Sequence, residues 1–498
     1  MPSFTCFLRD EMETMRLGND LALALRPGDI VALHGDLGAG KSTLARAIIR
    51  AIAADPQLEV PSPTFTLVQS YALRIPIHHF DLYRLSSPEE MEELGLSEAL
   101  ADGIALVEWP VRAPEAFPDA IKLTLKEHGD GREVEIEAAA GAAERIAHSF
   151  AVRSFLKEAG HPEGWRTYLL GDASIRAYEA IDTGDERLIL MDAPERRDEP
   201  IVRDDLPYSK IARLAQSVTA FVGVANALRA AGFSAPQIRA QELDAGLLLT
   251  EHLGEEPFLG SKGEPIPERY LAAAGLLAEL HERSWPERFP VTEGVDYAPP
   301  PYDRAALGIE TELLLDWYLP HVKGRAASEE EREEFGRLWS NLFRRLETAE
   351  RNLVLRDYHS PNIIWRRERK GLGRLGLVDV QDAVWGPGAY DVASLALDAR
   401  VTISEELERG MVETYCAARR SPGFDRASFD EAYAITAAQR NTKLLGIFVR
   451  LCQRDGKPVY LRHLPRIRTY LNRVLAHPAL ADLAAFYRMQ RFLDGETE

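Results

Sequence analysis

The chain is 498 residues long, 46% hydrophobic and 28% charged, with a formal net charge of −19. That length implies two or three soluble domains, and the acidic balance, −11 over residues 1–150 (13 basic, 24 acidic) and −8 over the remainder (46 and 54), argues against broad binding of a nucleic-acid backbone while leaving room for a local basic patch. Three scattered cysteines (Cys6, Cys416, Cys452), no signal-peptide core at MPSFTCFLRD and no apolar run of membrane-spanning length point to a reducing, cytoplasmic setting without membrane association.

Ile30–His34 reads as a short strand and runs into GDLGAGKST. Gly35-x4-Gly40-Lys41-Ser42 is a complete phosphate-loop pattern, and STLARAIIRAIAA after it has helical periodicity. The residue types follow from the chemistry. Gly35, Gly38, Ala39 and Gly40 let successive backbone N–H groups close around phosphate oxygens, Lys41 reaches the outer phosphates, and Ser42 offers a hydroxyl to Mg²⁺. With Thr43 they open a helix whose positive end faces the anion. A glycine-rich turn that merely contains lysine has no need of the strand before it and the helix after. ATP and Mg²⁺ are the expected cofactors.

Three further stretches follow in order: VPSPTFTLVQSY (60–71), IPIHHFDLYRL (75–85), whose strand ends on Asp81, and GIALVEWP (103–110), a buried-strand pattern closing on Glu108. Ser87-Pro88-Glu89-Glu90 opens a helix with a capping box and proline at its first position. Taken singly, SPTF is a turn, His78 and His79 are strand residues and Trp109 is a core aromatic. Together with the phosphate loop, within about 75 residues, they closely resemble the TsaE family, the ATPase subunit of the bacterial machinery that makes threonylcarbamoyladenosine in tRNA. The resemblance covers roughly residues 5–140, with Val111 standing after Pro110 where glutamate is frequent. It implies Thr64 in a nucleotide-sensing loop, Asp81 as a catalytic or switch carboxylate, Glu108 with Ser42 at the Mg²⁺ site, and Trp109 beside the nucleotide. It also implies TsaD and TsaB proteins as partners, with tRNA served only indirectly.

KLTLKEHGDGREVEIEA reads as a closing hairpin turned through Gly129-Asp130-Gly131. AAAGAAERIA (138–147) has no strong pattern, which places the division there: a P-loop α/β domain over 1–145 and a second domain over 146–498.

The second domain restarts with helical FAVRSFLKEAG, then TYLLGDASIRAYEAI and ERLILMDAP. Two alternating stretches about a small-residue turn suggest a hairpin over phosphates, with Ala173, Ser174 and Ile175 at the turn. A kinase N-lobe brings a lysine to ATP on its third strand; here Met191 stands in that run, so either Arg176 supplies the charge or the segment is assigned otherwise. LLLTEHLG (247–254) reads as a hinge whose backbone meets adenine around Glu251–Leu253, or as a buried strand and turn.

VLRDYHSPNIIWRRERKGLGRLGLVDVQDA (354–383) carries the chemistry of this half. Phosphoryl transfer from ATP needs a carboxylate to orient and deprotonate the attacking hydroxyl, and oxygen ligands for the metal on the phosphates. Asp357, Asn362 five residues on, and Asp379 after LGLV have the spacing of a kinase catalytic loop and its later metal ligand. Leu355 replaces the protein-kinase histidine and Asp379 sits in LVDVQDA, which points to a small-molecule kinase. A polar turn between two strands is the alternative for Asp-x4-Asn alone.

GDASIRAY, LILMDAP, ELLLDWY, RDYHSPNIIW, LVDVQDAVWGPGAYDVASL and KLLGIFVRLCQRDGKPVYLRHLPR, in this order, resemble the anomeric sugar kinases of cell-wall recycling. These have the two-lobed α+β aminoglycoside-phosphotransferase fold, which implies an N-lobe over about 150–254 and a C-lobe over about 255–498. The resemblance runs from about 150 to 490 and includes the methionine in place of the strand lysine. It implies Asp357 as catalytic base, Asn362 and Asp379 as metal ligands, and N-acetylmuramate or N-acetylglucosamine as acceptor at the anomeric hydroxyl. Arg356, His359, Asp382, Glu312, Asp316 and Trp317 are the expected sugar contacts, each equally open to a structural role. Arg462, His463, Arg466, Arg468 and Arg473 form a basic run that reads first as a solvated helix face. An aminoglycoside or other small-alcohol kinase, or a pseudokinase regulating the ATPase, are the rival readings.

Overall fold

The computed structural model describes residues 2–85, 90, 94–169, 176–195 and 199–494, and the chain divides into two units, Met1–Asp192 and Ala193–Glu498. In the first, seven strands form one sheet: β1 (Ser3–Leu8), β2 (Ile30–His34), β3 (Val68–Tyr71), β4 (Ile77–Asp81), β5 (Ile104–Glu108), β6 (Ile121–His128) and β7 (Gly131–Glu137), in the order β1-β7-β6-β2-β5-β4-β3. β2 runs parallel to β5 and β6, and β4 parallel to β5. All five residues of β5 are buried, as an apolar run in a covered parallel sheet requires. Because β2, β4 and β5 are parallel, their C-terminal ends share one edge. The phosphate loop, Asp81 and Glu108 therefore meet there, and Asp81 lies directly opposite Glu108.

Helix α1 (Glu11–Ala24), capped by the Asp10 carboxylate, packs on α2 (Lys41–Ala53), the helix that leaves the phosphate loop. Gly18 permits the contact, since a Cβ there would lie 2.5 Å from Ala47 Cβ. The closing hairpin forms as expected: β6 pairs with β7 down to His128 opposite Gly131, leaving Gly129-Asp130 as a two-residue turn with Gly129 at φ 59°.

The unit does not end where the sequence pattern fades. Helix α3 (Ala140–Glu158) runs straight through residue 145. Its Ala143, Ile146 and Phe150 pack into the core of the seven-stranded sheet, and Arg145 holds Asp29 at 2.7 Å and the Ala24 carbonyl at 2.9 Å. β8 (Trp165–Leu169), β9 (Ala177–Asp182) and β10 (Arg187–Asp192) then form an antiparallel ladder. Asn19 of α1 clasps the backbone of β8, donating to the Arg166 carbonyl at 2.7 Å and accepting from its N–H at 3.1 Å. The Arg166 side chain is 2% exposed and forked onto Glu179 at 2.7 and 2.9 Å, with Asp20 at 2.9 Å. Arg153 binds the same Asp20 at 2.8 Å. This buried polar seam joins α1, α3, β8 and β9, which is why the units part at Asp192 while the sequence pattern changes near 145. The expected turn residues Ala173, Ser174 and Ile175, and Ser87–Glu89 of the capping box, lie outside the described residues.

The second unit is mainly helical. Two short ladders frame its polar stretch: Arg351–Val354 pairs with Val384–Pro387, and Ile363–Trp365 with Leu375–Leu377. Residues 355–362 and 378–383 are the loops these ladders present. The helix Arg426–Gln453, 28 residues long, packs against helix Arg304–Leu313 and the wider turn Leu314–Tyr318 that continues it. Among the described residues no helix is long and apolar enough to cross a membrane.

Candidate active sites

In the first unit Gly35, Gly38 and Gly40 have φ of 142°, 84° and 102°, conformations that L side chains rarely adopt. Ala39 is buried and Thr43 half-buried in the first turn of α2. Lys41 is 4% exposed, its Nζ donating to the Gly35 and Asp36 carbonyls, both at 2.8 Å, and standing 3.8 Å from the centre of the Trp109 ring. Burial pushes the Lys41 ammonium below its ordinary range, against the pull of Glu108, Asp81 and Asp36. Ser42 Oγ donates to Glu108 Oε2 at 2.8 Å, and Glu108 Oε1 is held by His79 Nε2 at 2.9 Å. Thr64 Oγ1 donates to Asp81 Oδ2 at 2.7 Å, while Asp81 Oδ1 accepts the Tyr83 N–H at 3.0 Å. Trp109 adopts φ 58°, a left-handed conformation that costs roughly 1–3 kcal/mol outside glycine. The phosphate loop, Thr64, Asp81, Glu108 and Trp109 thus converge on one sheet edge.

Two contributors were not singled out by sequence. His79, 1% exposed, orients Glu108, and HHFD held it in plain view as an ordinary strand residue. Arg132, on β7, lies against the loop: a Cβ on Gly40 would stand 3.2 Å from its Nε. Its guanidinium brings a positive charge beside Gly40.

In the second unit Asn362 Nδ2 donates to the Asp357 carbonyl at 3.0 Å and approaches Asp379 Oδ2 at 3.4 Å. Gln381 Nε2 steadies the other Asp379 oxygen at 2.8 Å. The three predicted residues are therefore brought together from two loops. Arg356 and Asp379 sit at φ 72° and 59°, strain that clusters at functional sites. The backbone is held by Asp391, wholly buried, which accepts the N–H groups of Leu355 at 2.6 Å and Arg356 at 2.7 Å. Asp391 lies in GAYDVASL, read in sequence only as part of a family signature.

Several expected sugar contacts are placed elsewhere. Arg356 is 1% exposed and turned inward onto Glu310, so its charge is spent in the core. Glu310 is buried, which would raise its pKa, but Arg356 and Lys443 hold it down to about 2. Glu312 pairs with Arg203 at 2.5 Å, and Asp316 with Arg332 at 2.8 Å, both toward solvent. Trp317 is half-buried in the wider turn beside them. Asp382 accepts the Ala215 N–H at 2.6 Å, which ties it to a neighbouring loop. His359 stays buried within the catalytic loop, where burial and the nearby Arg400 push it well below the usual histidine range.

The remaining nucleotide expectations fall in several places. At the start of the expected hinge, Glu251 donates its N–H to the Gln237 carbonyl at 2.8 Å and pairs its side chain with Arg229 at 3.0 Å. Met191 is buried in β10 opposite Tyr178, and Arg176 immediately precedes β9; Ser174 is outside the described residues. The basic run serves packing: Arg466 binds the Ala399 carbonyl at 2.8 Å and Arg473 pairs with Glu408.

Comparison with known proteins agrees with both halves. Residues 8–134 match the family Threonylcarbamoyl adenosine biosynthesis protein TsaE, and residues 165–431 match the Phosphotransferase enzyme family. An N-acetylmuramate/N-acetylglucosamine kinase of Caulobacter vibrioides is 35% identical over 355 residues, 69% of this chain and 96% of that protein. Its counterpart in Pseudomonas aeruginosa is 33% identical over 63% of this chain and 84% of its own. The tRNA threonylcarbamoyladenosine biosynthesis protein TsaE of Haemophilus influenzae is 37% identical over 158 residues, 30% of this chain and 99% of that protein. The chain belongs to two families at once, TsaE over its first part and the phosphotransferase enzyme family over the longer remainder, and is an enzyme that fuses a TsaE-like domain to a domain like the N-acetylmuramate/N-acetylglucosamine kinases.

Proposed function

We propose that the chain is bifunctional: an ATPase supporting threonylcarbamoyladenosine formation in tRNA, joined to a kinase that phosphorylates N-acetylmuramate or N-acetylglucosamine at the anomeric hydroxyl. The observation that carries the kinase reading is the approach of Asn362 to the Asp357 carbonyl at 3.0 Å and to Asp379 at 3.4 Å. Asp357 orients the anomeric hydroxyl and takes its proton as the oxygen bonds to the γ-phosphorus. The bond from that phosphorus to the β–γ bridging oxygen breaks, and ADP leaves. Asp379 with the side-chain carbonyl oxygen of Asn362, whose amide nitrogen donates to Asp379 here, and Ser42 with Glu108 in the first unit offer oxygen ligands that would suit a hard cation such as Mg²⁺. When bound, Mg²⁺ supplies charge compensation on the phosphates.

The same reading makes TsaD and TsaB proteins the partners of the first unit. Leu37 and Phe65, 81% and 82% exposed, and Val111 at 62% flank the phosphate loop, Thr64 and Trp109, and apolar side chains left in water around a site mark a docking surface. Phosphorus NMR of ATP with either sugar tests the kinase half: an acid-labile 1-phosphate supports the anomeric assignment, and a 6-phosphate refutes it. An ATPase rate unmoved by TsaD and TsaB together would refute the partner assignment.

A further inference from the structure

The helix Arg426–Gln453 turns a charged face to the catalytic loop. Lys443 Nζ lies 2.7 Å from Glu310 Oε1 and 3.3 Å from the Tyr390 hydroxyl, and Gln439 Nε2 reaches Glu310 Oε2 at 3.0 Å. Arg356 uses the same carboxylate. Glu310 is thereby saturated by two cations, an amide and the Tyr302 hydroxyl. One turn before Lys443 on the same face stands Arg440. It is 3% exposed, and its Nη1 is buried with no hydrogen-bond partner. No carboxylate among the described residues pairs with it, whereas buried arginine is ordinarily paired.

Arg440 stands beside His359, two residues past Asp357, where Arg400 and Lys443 add further positive charge. His359 Nδ1 is likewise buried without a partner. The neighbouring carboxylate, Asp398, is already occupied by the Ser360 N–H at 2.9 Å, the Arg400 N–H at 2.9 Å and the Tyr270 hydroxyl at 3.4 Å. Arg440 Nη1 and His359 Nδ1 are thus two buried polar atoms near the base that hydrogen-bond to nothing in the fold. Lys443, one turn from Arg440 on the same helix face, also feels the charge of Asp357, which sets this face next to the base.

We propose that Arg440, with His359 beside it, is the seat of a carboxylate carried by the sugar acceptor, and so the group that separates an acidic amino sugar from a neutral one. This rests on the amino-sugar kinase reading above. N-acetylmuramate carries such a carboxylate on its lactyl ether; N-acetylglucosamine does not. A charge-assisted contact of this kind is worth about tenfold to a hundredfold in affinity.

The test is steady-state kinetics of the full chain on both sugars. Arg440→Gln raises KM for N-acetylmuramate by about tenfold to a hundredfold and leaves N-acetylglucosamine nearly unchanged, which doubles as the control for folding. Arg440→Lys, retaining the charge, recovers part of the loss. The unsubstituted protein is compared on N-acetylmuramate and its carboxamide, with the acid form expected to be preferred by a similar factor. Equal losses on both sugars, a rise in KM for ATP instead, or indifference to the carboxamide overturns the proposal while leaving the sugar kinase intact. Failure of the unsubstituted protein to phosphorylate either sugar overturns the kinase reading and the proposal together.

Discussion

Arg166→Met is the sharpest test of how the first unit is held together. The guanidinium is 2% exposed, forked onto Glu179 at 2.7 and 2.9 Å, and bound to Asp20 at 2.9 Å and the Ser149 carbonyl at 3.0 Å. Its burial works against the charge, but Glu179 and Asp20 more than offset that and hold its pKa above the usual arginine value. Removing one partner of a buried pair typically costs ~3–5 kcal/mol, because a carboxylate is left uncompensated. Here Asp20 keeps Arg153 at 2.8 Å, so the loss falls mainly on Glu179 and the lower end, about 3 kcal/mol, is expected. At roughly 2–4 °C per kcal/mol for a unit of this size, the midpoint should fall by about 6–12 °C. Thermal unfolding of the full chain followed by calorimetry reads this, with loss of phosphate-loop ATPase activity assigning the transition to the first unit. Arg166→Met with Glu179→Leu should recover most of the loss, since an apolar pair in place of a buried ion pair is near neutral or stabilising. A single variant within ~1 kcal/mol of the parent, or a double variant as unstable as the single, would refute the reasoning.

Lys41→Ala should abolish ATP hydrolysis by the first site, checked by phosphate release without sugar, while phosphorylation of the sugar persists. Asp357→Asn removes the proton acceptor and should lower sugar turnover by ~10²–10⁴-fold with ATP affinity nearly unchanged; Asp379→Asn should instead raise the Mg²⁺–ATP requirement, measured by titrating the metal. Asp391→Asn replaces an acceptor of two backbone N–H groups with an amide, so Arg356 loses the support for its φ of 72° and turnover should drop by about 10²-fold in a protein that still folds. His148, hydrogen-bonded to Asp192 at 2.6 Å, has its pKa raised above 6.5 by that bond, with burial opposing. The stability it adds is complete below the unfolded value and is lost as pH rises through the higher folded one, so the first unit's unfolding midpoint should decline as pH rises above about 6.5, and His148→Gln should flatten that part of the profile.

What was legible in the sequence was what is contiguous in it. The phosphate loop needs glycines, lysine and serine in one run, and Asp357, Asn362 and Asp379 lie on two loops closed by short ladders. Residues that act by reaching across the fold left weaker traces. Glu310 and Lys443 are 133 positions apart and meet only when helices pack, so Arg356 read as a sugar contact when its charge is committed to the core. Glu312 and Asp316 look like a polar face toward a cleft, yet Arg203 and Arg332 claim them. Nothing local announces those partners. His79 and Asp391 were visible within motifs, but a buried histidine in a strand and an aspartate in a helix carry no sign of what they hold.

The boundary near 145 failed to show in the packing for a related reason. Alanine-rich AAAGAAERIA has little periodic contrast, yet alanine is the strongest helix former, and a helix needs only a few apolar anchors to dock. Ala143, Ile146 and Phe150 supply them on one side, Ser149 and Arg153 the polar seam on another. Helix α1 stands in the middle of this arrangement. Through Gly18 it touches Ala47 of the helix leaving the phosphate loop, and through Asn19 and Asp20, the next two residues, it grips Arg166 on β8. Family membership changes along the chain, but those three consecutive positions bind the strands after the change to the helix before it. The first three strands of the kinase half should therefore unfold with the ATPase sheet in a single transition, and a chain cut at 145 should be less stable than the same sheet in the full protein. Two separate transitions within residues 1–192 would show that the seam closes only after each part has folded by itself.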